Sequence, residues 1–271
     1  MFIINYKLKT ALIIATYNWP AALELVLLSV LNQSVFPDEI IIADDGSTPE
    51  TKQLVQNYLQ KFKSKIQHIW QEDNGFQKTC ILNKAVAAST SDYIIQIDGD
   101  ILLHKHFIKD HISNAKQGTF IHASRVFLNK KITNEAITNK FYNFSFFKIG
   151  ISNRFNIIRS HLLSTILSTI NYNLKGTRGC NFSFWKHNFI DVNGYDEDMK
   201  GWGKEDTELS VRLINTRIKK YKLKCLAICY HLYHNSSSRK GLNMNNTILA
   251  ETISTKKISC INGINKYAKR N

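Results

Sequence analysis

Three short apolar runs set the terms for this chain: "TALIIATY" at 10–17, "DEIIIAD" at 38–44 and "DYIIQID" at 92–98. Each is rich in β-branched residues and bounded by polar ones, the pattern of a buried strand. "KIQHIWQ" at 65–71 reads as another strand. Helical spacing fills the gaps. "PAALELVLLSVLNQ" opens with Pro20, tolerated in a first turn, and "GFQKTCILNKAVAAS" covers 75–89. "DDGSTPE", with Ser47 or Thr48 as cap, leads into a helix near 50–62. Strands alternating with helices predict an α/β fold, a mostly parallel central sheet flanked by helices. Ligands in such sheets bind beyond the carboxyl ends of the strands. Those ends read Thr16-Tyr17-Asn18, Asp44-Asp45-Gly46-Ser47, Gln71-Glu72-Asp73-Asn74 and Asp98-Gly99-Asp100. All four are polar and three carry acids, which a purely structural sheet does not require.

The rest is less regular. A basic, aromatic insertion at 126–175 contains a helical pattern from Ile157 to Ile170. "GTRGCNFSFWK" (176–186) reads as a strand, "GWGKEDTELSVRL" (201–213) as a turn becoming a helix, and "CLAICYHLYH" (225–234) as a strand ending in two histidines. With 271 residues, 44% of them hydrophobic and only 3 prolines, one globular unit over 1–240 is expected, then a basic helical tail over 241–271. No signal peptide or transmembrane helix is expected, because the N-terminal apolar run is short and no longer apolar window follows. The 5 cysteines form no CxxC pair, which suits a reduced, cytosolic protein without a zinc site.

The net charge is +15 and unevenly placed. No Asp or Glu occurs from Ala136 through Ile190, and after Glu208 the only acid is Glu251. Such a balance suits nucleic acid, anionic lipid or a phosphorylated ligand, or simply a solvated lysine-rich face.

"IIQIDGDILL" places two aspartates around one glycine at a strand end. Carboxylates of this kind hold Mg²⁺ or Mn²⁺ together with substrate phosphates, although Asp-Gly is also a common surface turn. The order ATYN, DDGS, DNGFQKTCILNKA, DGD closely resembles family 2 glycosyltransferases with the GT-A nucleotide-diphospho-sugar fold. The resemblance covers 9 to about 125, the nucleotide-binding half, and resumes near 176 in an acceptor and catalytic half. It implies that Thr16, Tyr17 and Asn18 line the nucleotide pocket, with Asn74 and Gly99 beside it. Asp45 would meet the uracil edge, Asp98 the ribose, Asp100 a metal on the diphosphate, and Lys78 the base or phosphates. Asp44 has the plainer alternative of capping a turn, and Asn83 that of a polar helix-face residue.

"GWGKEDTELSVRL" resembles the C-terminal segment shared by β-1,4-galactosyltransferases and bacterial chondroitin-polymerase-type enzymes. That likeness implies Asp206 as catalytic base, Glu205 on acceptor hydroxyls and Trp202 as a platform for sugar rings. Glu208 is expected to do no more than favour the helix start. Lys204 departs from the animal galactosyltransferases, which have glycine there. Gly179 would allow close approach of the donor sugar and Arg178 would contact diphosphate or acceptor. A downstream histidine completes the metal site in these families. The "HLY" register favours His231, the preferred ligand, and the "H-x-S-x-x-x-K" register His234, so one of the two would ligate the metal and the other would be structural.

The resemblance therefore implies an inverting, metal-dependent enzyme using a UDP-sugar and Mn²⁺ or Mg²⁺. Its acceptor would be a glycan or lipid-linked glycan of a bacterial surface polysaccharide such as lipopolysaccharide, lipooligosaccharide, O-antigen or capsule. A nucleotidyltransferase would carry a glycine-rich basic loop where "ATYNWPAAL" stands. A nucleic-acid-binding protein would not gather acids at the strand ends, and no nucleic-acid partner is expected. The basic, aromatic residues of 141–170 suit instead an anionic membrane surface, with the protein cytoplasmic and peripheral on the inner leaflet.

Overall fold

The structure is a computed structural model, which describes residues 8–235, 239 and 241–267. The last residues of the expected tail, 268–271, lie outside the described residues. The first half follows the expected alternation: β1 Thr10–Thr16, α1 Pro20–Leu31, β2 Glu39–Asp44, α2 Pro49–Tyr58, β3 Lys65–Trp70, α3 Lys78–Ala88 and β4 Tyr93–Asp98. Thr48 stands at the start of α2 but makes no side-chain cap bond, and Pro49 opens the helix. Then come β5 Ile101–Leu103, α4 Phe107–Ser113, β6 Thr119–Ala123, β7 Val126–Leu128, α5 Lys130–Asn139, β8 Ile151–Ser152, α6 His161–Leu167 and β9 Thr169–Asn171. The chain closes with β10 Asn181–Trp185, α7 Lys186–Asp191, α8 Glu205–Asn215, β11 Lys219–Leu223, β12 Cys229–His231 and α9 Leu242–Ser254.

The large sheet has the order β3-β2-β1-β4-β10-β6-β11-β9. β3, β2, β1 and β4 are parallel, as expected. Beyond β4 the sheet is mixed: β10 runs antiparallel to both β4 and β6. Asn181 pairs with Ile97, so β10 starts at the carboxyl end of β4 and delivers the preceding glycine to the strand ends. A second, separate sheet has the order β5-β12-β7-β8.

The strands are apolar on both faces because both are covered. Leu12 and Ile14 pack with Leu23, Val26 and Leu27 of α1. Ala11, Ile13 and Ala15 pack on the other side with Ile81, Leu82 and Ala85 of α3 and Leu209 and Leu213 of α8.

Three expected elements are shorter than their patterns, and of the strand expected over 176–186 only β10 forms. The helix expected over 157–170 is confined to α6. Ser160 caps it, and the chain then leaves the helix to pair β9 with β11. The strand expected over 225–234 is only β12, since Cys225 and Ala227 adopt left-handed backbone (φ 57° and 50°) that no strand accommodates.

Glu208 is more than a helix-start acid. It is fully buried and forms a two-bond pair with Arg212, Nε to Oε1 at 2.7 Å and Nη2 to Oε2 at 2.6 Å. Arg212 also donates to the Val192 and Gly194 carbonyls at 2.5 and 2.7 Å, and Thr252 of α9 donates to Glu208 at 3.1 Å. Removing one member strands the other charge in the core. Arg212→Met is expected to cost about 3–5 kcal/mol, a loss on the order of 10 °C in Tm by calorimetry.

Candidate active site

The strand ends open into a cleft of about 1110 Å³, bounded on the far side by residues 201–207. On the β1 side, Thr16 is buried and its carbonyl accepts the Asp45 amide at 3.0 Å. Tyr17 is half-exposed and donates to Asp73 at 2.8 Å. Both line the cleft. Asn18 does something else. With φ 46°, it clips two loops together, its amide donating to Ser47 Oγ and its side chain accepting from Thr48 N, each at 2.8 Å.

After β2 the two aspartates divide. Asp44 accepts the Ser47 amide at 2.8 Å and pairs with His68 at 2.9 Å, so it is the turn cap. Asp45 faces the cleft and is held by Gln71 Nε2 at 2.6 Å and the Gln77 amide at 2.9 Å. Burial pushes its carboxyl up to about 6, against the pull of those two donors. The wall beyond is Gly75 and Phe76, and Asn74 stands exposed outside it. Asn83 is a buried bracket, bonded to Glu197 and to both backbone groups of Tyr195.

At the end of β4, the Gly99 amide donates to Ala15 O at 2.6 Å. A Cβ there would sit 2.9 Å from Thr16 Oγ1, so only glycine lets this turn lie against β1. Lys78 pairs with Asp98 at 2.5 Å. Burial opposes the lysine charge, but Asp98, Asp206 and Glu205 together hold it well above its ordinary range.

Asp100 meets both histidines. β12 pairs antiparallel with β5, setting His231 opposite Ile101, and Leu232 N donates to Asp100 O at 3.0 Å. The chain then curls so that His234 Nε2 lies 3.2 Å from Asp100 Oδ2, with His231 Nε2 at 3.6 Å. Both rings converge on one carboxylate. Burial alone would raise the Asp100 carboxyl, but the His234 hydrogen bond and the two imidazoles hold it below its usual range. His234 is pushed up to about 9, chiefly by that same bond, while burial lowers His231. One oxygen, Asp100 Oδ1, is buried with no partner among the described residues. One ligand atom from each of the three lies within 4.8 Å of the others, so these residues fit a divalent cation.

The opposite wall is built on the start of α8. Asp206 Oδ2 accepts the Gly179 amide at 2.6 Å. The Tyr195 hydroxyl accepts from Gln96 Nε2 at 2.9 Å, which leaves its proton for Asp206 Oδ1 at 3.1 Å. Burial raises the Asp206 carboxyl, with Lys78 opposing. Burial and the Asp206 charge push Glu205 up to about 7, and Glu205 Oε2 has no partner among the described residues. Gly201 (φ 76°), Gly203 (φ 106°) and Lys204 (φ 78°) are all left-handed, and Trp202 projects half-exposed from that turn. Arg178 is exposed at the cleft mouth, its amide donating to His122 at 3.1 Å.

The structure therefore brings all the candidate residues to the cleft or the Asp100 cluster except Asn18 and Asn74. Sequence reasoning missed Tyr195, Trp19, Phe76 and Arg125. Arg125 lines the cleft beneath Cys180, 3.0 Å from its sulfur, with its Nε unpartnered among the described residues. Trp19 and Phe76 sit within the quoted ATYNWP and DNGFQ stretches, whereas nothing local marks Tyr195 or Arg125, which tertiary packing carries to the site.

Known proteins share this architecture. A family model described as glycosyl transferase family 2 matches residues 11–175, and one described as the N-terminal domain of galactosyltransferase matches 161–235. A chondroitin synthase from Pasteurella multocida is 25% identical over 78% of this chain, and a validoxylamine A glucosyltransferase from Streptomyces hygroscopicus subsp. limoneus is 24% identical over 75%. The aligned regions span only 23% and 47% of those relatives' own lengths. Among solved structures, S. aureus TarS 1–349 in complex with UDP matches with a TM-score of 0.61 at 18% identity, covering 90% of this chain and 64% of that one. A mannosyltransferase from Pyrobaculum calidifontis in complex with GDP-Man and Mn²⁺ matches at 0.60 and 14%, covering 94% and 65%. These likenesses establish the GT-A-like fold.

Gly179 is the tightest point of the site. A Cβ there would lie 2.6 Å from Asp206 Cγ. Gly179→Ala is expected to destabilise the protein by about 1–3 kcal/mol through overpacking. An unchanged Tm would mean the two loops are free to separate.

Proposed function

The chain belongs to glycosyl transferase family 2, and on that premise we propose that it is an inverting, metal-dependent glycosyltransferase. It moves a hexose or N-acetylhexosamine from a UDP-sugar to a glycan or lipid-linked glycan acceptor. The observation that carries this reading is the placement of Asp206 across one cleft from Asp45, Asp98 and the Asp100–His231–His234 cluster. The similarity to a chondroitin synthase and a glucosyltransferase, and to a fold neighbour in complex with UDP, supports a nucleotide-sugar donor.

Asp45, with both oxygens already oriented, would meet the imide edge of the base, and Asp98 the ribose. Lys78 would offset diphosphate charge. Asp100, His231 and His234 would hold Mn²⁺ or Mg²⁺. Such an ion, when bound, stabilises charge on the leaving diphosphate. Trp202 offers an apolar face to an acceptor ring, and Glu205 and Arg178 its polar contacts. As the acceptor oxygen bonds to the anomeric carbon, the bond to the diphosphate breaks on the opposite face. The hydroxyl proton passes to Asp206. The Gly179 amide and Tyr195 fix that carboxylate for the transfer, and its raised affinity for protons suits a base. Assembly of a bacterial surface polysaccharide fits these parts, with the enzyme cytoplasmic and peripheral at the inner leaflet when the acceptor is lipid-linked.

Asp206→Asn is expected to lower transfer by about 10²–10⁴-fold, with UDP binding by calorimetry nearly intact. Loss of both would make Asp206 structural. Hydrolysis or binding of no UDP-hexose or UDP-N-acetylhexosamine with Mn²⁺ would overturn the donor assignment. The base form of Asp206 disappears as pH falls through its raised pKa, so the rate has an acid limb. Lys78 holds that pKa down, and Lys78→Met is therefore expected to move the limb of the kcat profile to higher pH.

A further inference from the structure

Helix α6 is built inside out. A surface helix ordinarily turns its apolar stripe inward. In α6, Leu162 is 72% and Ile166 67% exposed, Leu163 and Leu167 are exposed beside them, and Ser164 is 4% exposed. Positions 162, 163, 166 and 167 form one stripe along the helix. The orientation is firmly set. Ser160 Oγ caps Leu163 N at 3.2 Å, Ser160 N donates to Cys225 O at 3.0 Å, and Lys224 N donates to Ser168 Oγ at 2.9 Å. Just upstream, Phe147 is 83%, Ile149 86% and Phe155 74% exposed. Phe146 gathers Phe147 and Phe155 at centroid distances of 5.4 and 5.7 Å. No helix among the described residues is long and apolar enough to cross a membrane.

Charge selects the cover. Residues 136–190 contain no acid, and Arg154, Lys175, Lys219 and Lys222 have no ion pair among the described residues. Arg154 lies over Phe146 and Lys219 over Tyr172, each at 5.8 Å, so cations and apolar groups are interleaved. A second copy would set like charges against one another. Nucleic acid would gain no stacking from the aliphatic stripe. A bilayer with anionic headgroups satisfies both parts: apolar side chains enter the headgroup–acyl boundary and cations meet the phosphates.

We propose that α6, the 146–155 loop and the β9 edge form a docking face for an anionic bilayer surface. Thr177 and Arg178, which follow β9 closely, line the cleft, so docking would bring the cleft mouth to the membrane. The inference rests on the lipid-linked acceptor reading only for its purpose, not for its evidence.

The test is co-sedimentation of the intact protein with phosphatidylcholine vesicles, with and without phosphatidylglycerol. Binding to the anionic vesicles that weakens with salt is expected. Leu162→Ser with Ile166→Ser should weaken it on the order of tenfold or more, and Arg154→Gln with Lys219→Gln by a comparable amount. Tm and UDP binding should not change. The proposal is overturned by absence of binding to anionic vesicles at low salt, by binding that the Leu162/Ile166 pair does not affect, or by self-association of the wild type that the same pair abolishes. UDP binding, measured on each variant, separates these outcomes from failure of the glycosyltransferase reading.

Discussion

The site depends on a carboxylate held against a backbone amide with no room for a side chain between them. Asp206 accepts the Gly179 N–H, and the antiparallel entry of β10 beside β4 brings that N–H to the strand ends. A parallel strand at that position would begin at the other end of the sheet. The change from parallel to mixed pairing at β4 is thus what joins the strand-end acids to the α8 acids in one cleft.

Concentrating acids in a partly dry cleft has a cost that the protein meets unevenly. Lys78 lies between Asp98 and the Glu205–Asp206 pair and is attracted by all three. Asp98 gains a direct ion pair, Asp206 gains a backbone donor, and Glu205 gains neither for one of its oxygens. Burial therefore raises Glu205 to about 7, while Asp100, facing two imidazoles, stays below its ordinary range. Carboxyls within one cleft are tuned apart by their neighbours, the arrangement expected where proton transfer and cation binding share a space.

The sequence made the first four strands and their polar ends legible because apolar runs and turn residues are local signals. It also singled out Asp45, Asp98, Asp100, Asp206 and Gly179 through motif resemblance. What it hid were features set by distant contacts. The helix over 157–170 looked longer because Ile and Leu at helical spacing fit either a helix or the short edge strand that β11 recruits. The 225–234 run looked like a strand because its composition gives no sign of left-handed Cys225 and Ala227. Asn18 and Asn74 sit in the right motifs, yet one ties loops and the other faces solvent. Tyr195 is the converse, outside every motif yet brought to Asp206 by Asn83 on its backbone and Gln96 on its hydroxyl.

The Glu208–Arg212 pair matters beyond stability. Successive helical residues are about 100° apart, so Glu208 projects on roughly the opposite side of α8 from Asp206. The buried side is keyed: Arg212 grips two carbonyls of the 192–194 turn, and Thr252 bonds to Glu208. A helix keyed this way cannot roll about its axis without breaking charged hydrogen bonds in the core. The pair is a rotational stop, and the heading of Asp206 toward the cleft is fixed from the far side of the helix.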